Sequence, residues 1–472
     1  MFMRFPKPFF LVLLPGCFWL LASCLTTPAA SQNSTIGAGD SGSPVMADTN
    51  ASPITIFEAL AKAVQENYPM LEYVGWHDEW AQEFRTRIAA APTREAAFEL
   101  MDEFVCRLND YHTRLSWPDK PRQAAPPFRV EPALITGTIP PTFGIWGEAR
   151  PPLELPAFDG VAIAVVEADK SVGLQAGDEI LTVEDVTVRE ALTRAWRHSV
   201  GSSVAAKLRS AAGRMLSGRP GSKLMLTVRR HRHQGGEETV SATVLRSKSS
   251  AEGVISSREA DGVPVIRIAR WSNGPGEDLV AQFDQLLDRF RNRPGIIIDV
   301  RGNGGGKDEF ADQVTGRFLK TPVIASINFR RQSPALIFER RVVTAVPRGP
   351  WRYEGRVAVL TDEGCMSACG HFVSGMIEGG ALACGTPTRG ACGLYRTVEL
   401  PGGARLQVSR TFPLHAGGVP SPQFGIVPHL WTPRTLADLQ AGEDTALRAA
   451  RRWVKSIEPL PARLQPVTTY AH

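Results

Sequence analysis

The sequence predicts an α/β protein, and three observations carry that expectation. Residues after Val263 alternate strand with helix, short β-type runs fill the middle of the chain, and helical periodicity dominates its first third. At 472 residues the chain has room for two or three domains. Its net charge of +5 is small and its basic residues are scattered, which excludes a nucleic-acid footprint.

The N-terminus is of different material from the rest. Arg4 and Lys7 precede an apolar run from Phe9 to Leu21, which closes on Leu21-Ala22-Ser23-Cys24. A basic start, a short apolar stretch and small residues before a cut read as a secretory signal, residues 1–23. As a membrane span the run is too short for roughly 30 Å of hydrocarbon, and Pro15 interrupts it. The Leu-Ala-Ser-Cys ending resembles a bacterial lipobox, which implies a lipid on Cys24 and a membrane partner through that lipid. Leu25, in place of Asp, resembles lipoproteins sorted to the outer membrane. Residues 24–52 are rich in Ser, Thr, Ala, Gly and Asn and are expected to be a flexible tether.

Residues 53–120 are expected to form a small helical domain. Apolar side chains recur at helical spacing at Ile54, Phe57, Leu60 and Val64, then at Ala97, Leu100, Phe104 and Leu108. Thr93 is placed to cap the last of these helices, without the Glu or Gln that a full capping box needs at position 96.

Residues 121–250 switch to strands, Val161–Val166 and Leu224–Val228. Between them Val172-Gly173-Leu174-Gln175-Ala176-Gly177-Asp178-Glu179-Ile180-Leu181 resembles the helix-turn-strand core of a PDZ domain. Such a domain captures extended peptide ends by strand addition, with backbone amides on the terminal carboxylate. Phe143, Gly144 and Ile145 are the candidate peptide-binding loop. A PDZ-shaped scaffold without an open groove is the alternative, given the long stretch between Val188 and Leu216.

Residues 251–440 are the expected core: strand Val263–Ile268, helix Glu277–Phe290, buried strand Ile296–Val300, a helix near Asp308–Leu319, strand Val357–Leu360 and a helix from about Ser367. Residues 441–472 are expected to be a C-terminal helix and tail.

Three strings carry chemistry. Asp299-Val300-Arg301-Gly302-Asn303-Gly304-Gly305-Gly306 follows a buried strand, and it lacks the lysine ending or glycine spacing of a nucleotide loop. A strand then delivers Gly364-Cys365-Met366-Ser367-Ala368-Cys369-Gly370 to a helix start, where free amides favour an anion. Alone, Ser367 there reads as a helix cap. Leu108-Asn109-Asp110-Tyr111-His112-Thr113 closes the helical segment, where a lone histidine more often caps a helix.

Together the strings resemble the tail-specific (C-terminal-processing) and tricorn-like serine peptidases, over roughly residues 54–436. The resemblance implies a crotonase-like α/β core, Ser367 as nucleophile and His112 as general base. It further implies Gly304, Gly305 and Ala368 amides at the oxyanion, a protein or peptide substrate, and no cofactor. Tail-specific members take their base from a lysine about two dozen residues after the serine. Here Gly385-Thr386-Pro387-Thr388-Arg389-Gly390-Ala391 puts Ala391 at that place, and an arginine cannot accept the proton. His112 remains, with Lys307 and His371 as poorer candidates. Gly370 replaces the family's Glu after the serine, and Pro422-Gln423-Phe424 lacks the acid of tricorn-like members. A second function class therefore stays open: a catalytically weak or dead relative that binds peptides or apolar ligands.

Export permits disulfides. Cys365–Cys369 and Cys384–Cys392, at spacings suited to short loops, are the expected pairs, with Cys106 free. No histidine other than His371 stands near them at zinc-ligand spacing, so no metal is expected.

Overall fold

The structure is a computed structural model. It describes residues 51–462 apart from 72–73, 75, 77, 139–150, 233–234, 248–252, 336, 392, 416–418 and 421–424. Cys24 and the signal, tether, Phe143-Gly144-Ile145, Cys392 and the Pro422-Gln423-Phe424 string lie outside these residues. No helix among the described residues is long and apolar enough to cross a membrane.

Helices α1 (Pro53–Asn67), α2 (Asp78–Ala89) and α3 (Arg94–Cys106) open the described chain. Ser52 and Thr93 cap α1 and α3 through their hydroxyls, Thr93 accepting from the Ala96 N–H as its position suggested. Phe57, Leu60, Val64, Phe84, Met101 and Phe104 bury one face of each helix in a shared core. The strand β1 (Arg114–Ser116) follows.

Strands β2 (Phe128–Leu134), β3 (Val161–Ala168), β4 (Glu179–Val183) and β5 (Val186–Thr187) come next, then helices α4 (Val188–Trp196) and α5 (Val204–Leu216), then β6 (Lys223–His231) and β7 (Glu237–Leu245). The strands form one antiparallel sheet in the order β2-β3-β4-β6-β7. The long stretch after Val188 is thus two helices, whose Leu192, Trp196, Leu208 and Leu216 pack on the sheet. Asp178 works as the turn suggested: its carboxylate accepts the Gln175 N–H at 2.9 Å, and Arg230 pairs with it.

The core begins at β8 (Ile255–Ala260), β9 (Val263–Ile268), α6 (Leu279–Arg289), β10 (Gly295–Asp299) and α7 (Asp308–Gly316). A hairpin, β11 (Val323–Gln332) and β12 (Ile337–Ala345), leads to β13 (Arg356–Thr361), α8 (Ala368–Glu378) and β14 (Leu382–Gly385). Strands β15 (Tyr395–Glu399), β16 (Arg405–Ser409), β17 (Thr411–His415), β18 (Val419–Pro420) and β19 (Leu430–Trp431) precede α9 (Leu436–Gln440) and α10 (Thr445–Lys455). β9, β10, β13, β14 and β19 run parallel in one sheet, with antiparallel β8 at its edge. Ile296, Ile298, Val357 and Val359 turn to α6, α7 and α8, while Ile297, Ala358 and Leu360 turn to α10. Both faces are covered, which explains why these strands read as mostly apolar runs.

β15 and β16 leave this core. β16 pairs with β1 and with β15, and Leu400, Leu406 and Val408 complete the apolar core of α1–α3.

Candidate functional site

Two turns at the carboxyl ends of adjacent parallel strands build the site. β10 and β13 pair in register, Asp299 opposite Leu360, so the glycine string and the Ser367 turn emerge side by side. Ser367 sits at φ 55°, ψ −128°, a backbone region costly for any residue with a side chain. Its hydroxyl makes no capping hydrogen bond to α8, so the capping reading does not hold. A sharp strand-to-helix turn of this kind holds a side chain out from the helix start.

Gly305 explains how the turns come so close. A Cβ built on it would stand 2.6 Å from Ser367 Cβ, 2.8 Å from Met366 O and 3.2 Å from Ala368 N, and its own φ is +94°. Only glycine fits. Its N–H, expected as an oxyanion donor, is instead committed to Asn303 Oδ1 at 2.9 Å, while Asn303 Nδ2 donates to Ile268 O. The Gly304 and Ala368 N–H groups take no acceptor among the described residues.

Asp362 fastens both turns. Its Oδ1 accepts the Gly302 N–H at 2.7 Å and the Gly364 N–H at 2.8 Å, and its Oδ2 takes Arg209 of α5 at 2.8 Å. Burial opposes its ionisation, but Arg209 and the Gly302 N–H prevail and hold the carboxyl well below the usual range. Arg301 joins Asp299 to Asp444, the cap of α10. These clasps were missed in the sequence, although an Asp directly after a buried strand was a signal.

Ala391 stands at the position where the resemblance places a lysine. Ser367 N donates to Ala391 O at 2.5 Å, so the Ala391 backbone is held against the serine turn. Arg389, two residues earlier, is buried with its guanidinium 4.8 Å from the Tyr111 ring centroid. Tyr395, four residues later, lies 5.9 Å from the His112 ring. The loop that holds the Ser367 amide thus also carries the residues against Tyr111 and His112.

His112 is 8% exposed and its Nδ1 has no hydrogen-bond partner. Asp110 is spent on the backbone: it accepts the His112 N–H at 2.9 Å and the Thr113 hydroxyl at 2.8 Å. Burial pushes the His112 imidazole below its ordinary range, helped by Arg114 and opposed by Asp110 and Asp308. His371 differs. Its Nε2 lies 2.7 Å from Asp312 Oδ1, and that partner outweighs burial and raises it. Lys307 caps α7 with Nζ 5.6 Å from the Phe310 centroid.

The expected Cys365–Cys369 bridge is absent: both thiols are free and both face Val300 O, at 3.0 and 3.8 Å. Cys369 belongs to the first turn of α8, and a carbonyl between the sulfurs satisfies both. Cys384 is likewise free, its sulfur on Ala446 O at 3.4 Å. Burial raises its thiol to about 11 and that of Cys106, also free, to about 12.

Glu99, Asp102 and His198 have the composition of a metal site, but Lys120 pairs with Asp102 at 2.9 Å and Arg214 stands at 3.6 Å. The cluster is an ion-pair node between α3 and the segment after α4. A cavity of about 120 Å³ is lined by Glu131, Leu134, Arg301, Glu363, Thr386 and Arg434. Ser367 is not on its wall.

Residues 262–430 match Peptidase family S41. The carboxyl-terminal-processing protease of Picosynechococcus sp. (strain ATCC 27264 / PCC 7002 / PR-6) is 23% identical over 343 residues, covering 71% of this chain and 72% of that one. Mature CPAF complexed with lactacystin shares the fold at a TM-score of 0.63 and 15% identity, over 86% of this chain and 97% of that one. Mature CPAF alone gives 0.60 at the same identity, over 86% and 96%. Residues 262–430 thus carry the S41 match and bring the glycine and serine turns together, and the chain is similar to the tail-specific serine peptidases.

Proposed function

We propose that this chain is an exported, lipid-anchored serine endopeptidase that cleaves protein substrates with Ser367 as nucleophile and His112 as base. The observation that carries the reading is the strained Ser367 turn pressed against Gly305, with the Gly304 and Ala368 amides unclaimed beside it. Ser367 Oγ attacks the peptide carbonyl carbon while His112 takes its proton. The carbonyl oxygen becomes an oxyanion, for which Gly304 and Ala368 N–H groups are pre-aimed donors. Collapse breaks the C–N bond, and His112 returns the proton to the leaving amine. Water then hydrolyses the acyl-enzyme by the same route. The antiparallel sheet β2-β3-β4-β6-β7 is the PDZ-like element, and the segment containing Phe143, Gly144 and Ile145 holds the substrate's terminal carboxylate. Cys24 carries the lipid that tethers the enzyme to the membrane on its periplasmic side.

One observation favours the binding-module alternative: among the described residues, His112 Nδ1 has no acid to orient it. A fluorophosphonate probe separates the two. Labelling that maps to Ser367 and disappears in Ser367→Ala, with folding retained, is the expected result. No labelling of the wild-type chain, or equal peptide cleavage by wild type and Ser367→Ala, overturns the peptidase reading. Cys24→Ala should release the chain from membranes, and unchanged partition would remove the anchor.

A further inference from the structure

The β11–β12 hairpin supplies none of the residues assigned to the site. β12 is the edge of its sheet, in the order β12-β11-β17-β18, and presents nine residues with one side unpaired among the described residues. Ile337 is 66% exposed, Val342 39% and Phe338 36%, with Ile324 and Val346 open beside them. A long apolar edge is a template for another strand, and proteins that keep one exposed need a reason to.

The sequence of the edge says which strand. Ile337, Glu339, Arg341 and Val343 alternate onto one face, Phe338, Arg340 and Val342 onto the other. Arg341 has no acidic partner among the described residues, and Glu339 accepts only from Gln332 Nε2. An antiparallel strand identical to β12 and centred on Arg340 places Glu339 opposite Arg341 twice. It also places Phe338 opposite Val342 twice and Ile337 opposite Val343 twice. Residues directly opposite share a face, so each pairing meets side chain to side chain. Only Arg340, on the axis, meets a like charge.

We propose that β12 is the pairing edge for a second copy of this chain, which joins the two sheets across a twofold axis at Arg340. The interface is isologous, as a closed dimer requires. It needs nothing from the catalytic reading.

Arg340→Cys in the full chain, in native membranes treated with copper phenanthroline, tests the axis. Opposed Cα atoms in an antiparallel pair stand roughly 4.5–5.5 Å apart, inside the span of a disulfide. Arg340→Cys should give a covalent dimer on a non-reducing gel, whereas Phe338→Cys or Val342→Cys alone should not. Phe338→Cys co-expressed with Val342→Cys should cross-link. Glu339→Arg or Arg341→Glu should weaken the dimer about tenfold, and the double exchange should restore it. A monomer from Arg340→Cys at the wild-type level overturns the proposal. Equal cross-linking at all three positions, or no recovery in the double exchange, also overturns it.

Discussion

Gly305→Ala should disable the site without touching a reacting group. The new Cβ would sit 2.6 Å from Ser367 Cβ and 2.8 Å from Met366 O, at a φ of +94°. The backbone conformation alone costs about 1–3 kcal/mol for a residue with a Cβ. Relieving the overlap costs about another 1–3 kcal/mol, because both neighbours are fixed in a strained turn. The sum is about 2–6 kcal/mol, met either by lost stability or by displacement of the Ser367 turn. A displacement near 1 Å would slow acylation by about 10²-fold. Gly304→Ala is the internal control. Its φ is not positive and its Cβ would meet only Met366 Cε at 3.5 Å, so a change under about 0.5 kcal/mol is expected. Urea denaturation and the rate of fluorophosphonate labelling measure both variants. Wild-type stability and labelling in Gly305→Ala would refute the packing argument, as would equal damage from Gly304→Ala.

Replacing His112 with Ala should lower turnover by about 10²–10⁴-fold, while Lys307→Ala should do much less; the reverse ranking in steady-state peptide cleavage would reassign the base. Because burial depresses the His112 pKa, the acid limb of kcat/KM should lie below the ordinary imidazole value of 6.5. The same shift means the unfolded chain binds more protons, so stability should fall as pH drops from about 6.5 towards the folded value; an acid limb above 6.5 would contradict the burial. Arg209→Met should cost about 3–5 kcal/mol by leaving Asp362 buried without its paired cation, read from denaturant midpoints. Thiol titration of the unfolded, non-reduced chain should find Cys365 and Cys369 free, and a mapped bridge between them would refute their placement on Val300 O.

The strand-helix order was legible because it rests on local periodicity. Val263–Ile268, Ile296–Val300 and Val357–Leu360 are mostly apolar, broken only by Arg267 and Asp299 near the strand ends, as strands covered on both faces tend to be. The meeting of the glycine and serine turns was legible because both follow such strands. The hydrogen bonds that individual side chains claim were not legible, whether local or across long separations. Asn303 takes the Gly305 N–H that a motif comparison assigns to the oxyanion, since nothing in the string tells which amide a neighbouring carboxamide will claim. The cysteine spacing suggested short loops, but Cys369 lies in a helix and both thiols find the Val300 carbonyl. β15 and β16 lie more than two hundred residues from the helices they cover, and their alternating pattern is silent about which core they serve.

Asp362 shows how these pieces act together. Its two oxygens hold Gly302 of one turn, Gly364 of the other and Arg209 of α5, and Arg209 continues to Glu131 at 2.7 Å, where Arg434 also ends. α5 packs on the sheet of β2 and β3, so the ion pairs run unbroken from that sheet to the backbone on either side of Ser367. A buried pair of this kind adds little net stability over apolar packing, yet it is costly to break and specific in geometry. Its value here is positional. The amides at Gly304 and Ala368 can serve as donors only while the two turns keep their spacing. A shift of the sheet relative to the core would pull on Arg209, and through Asp362 on both turns at once. Substrate held on that sheet would therefore bear directly on the alignment of the nucleophile, through a clasp that is itself independent of the reacting groups.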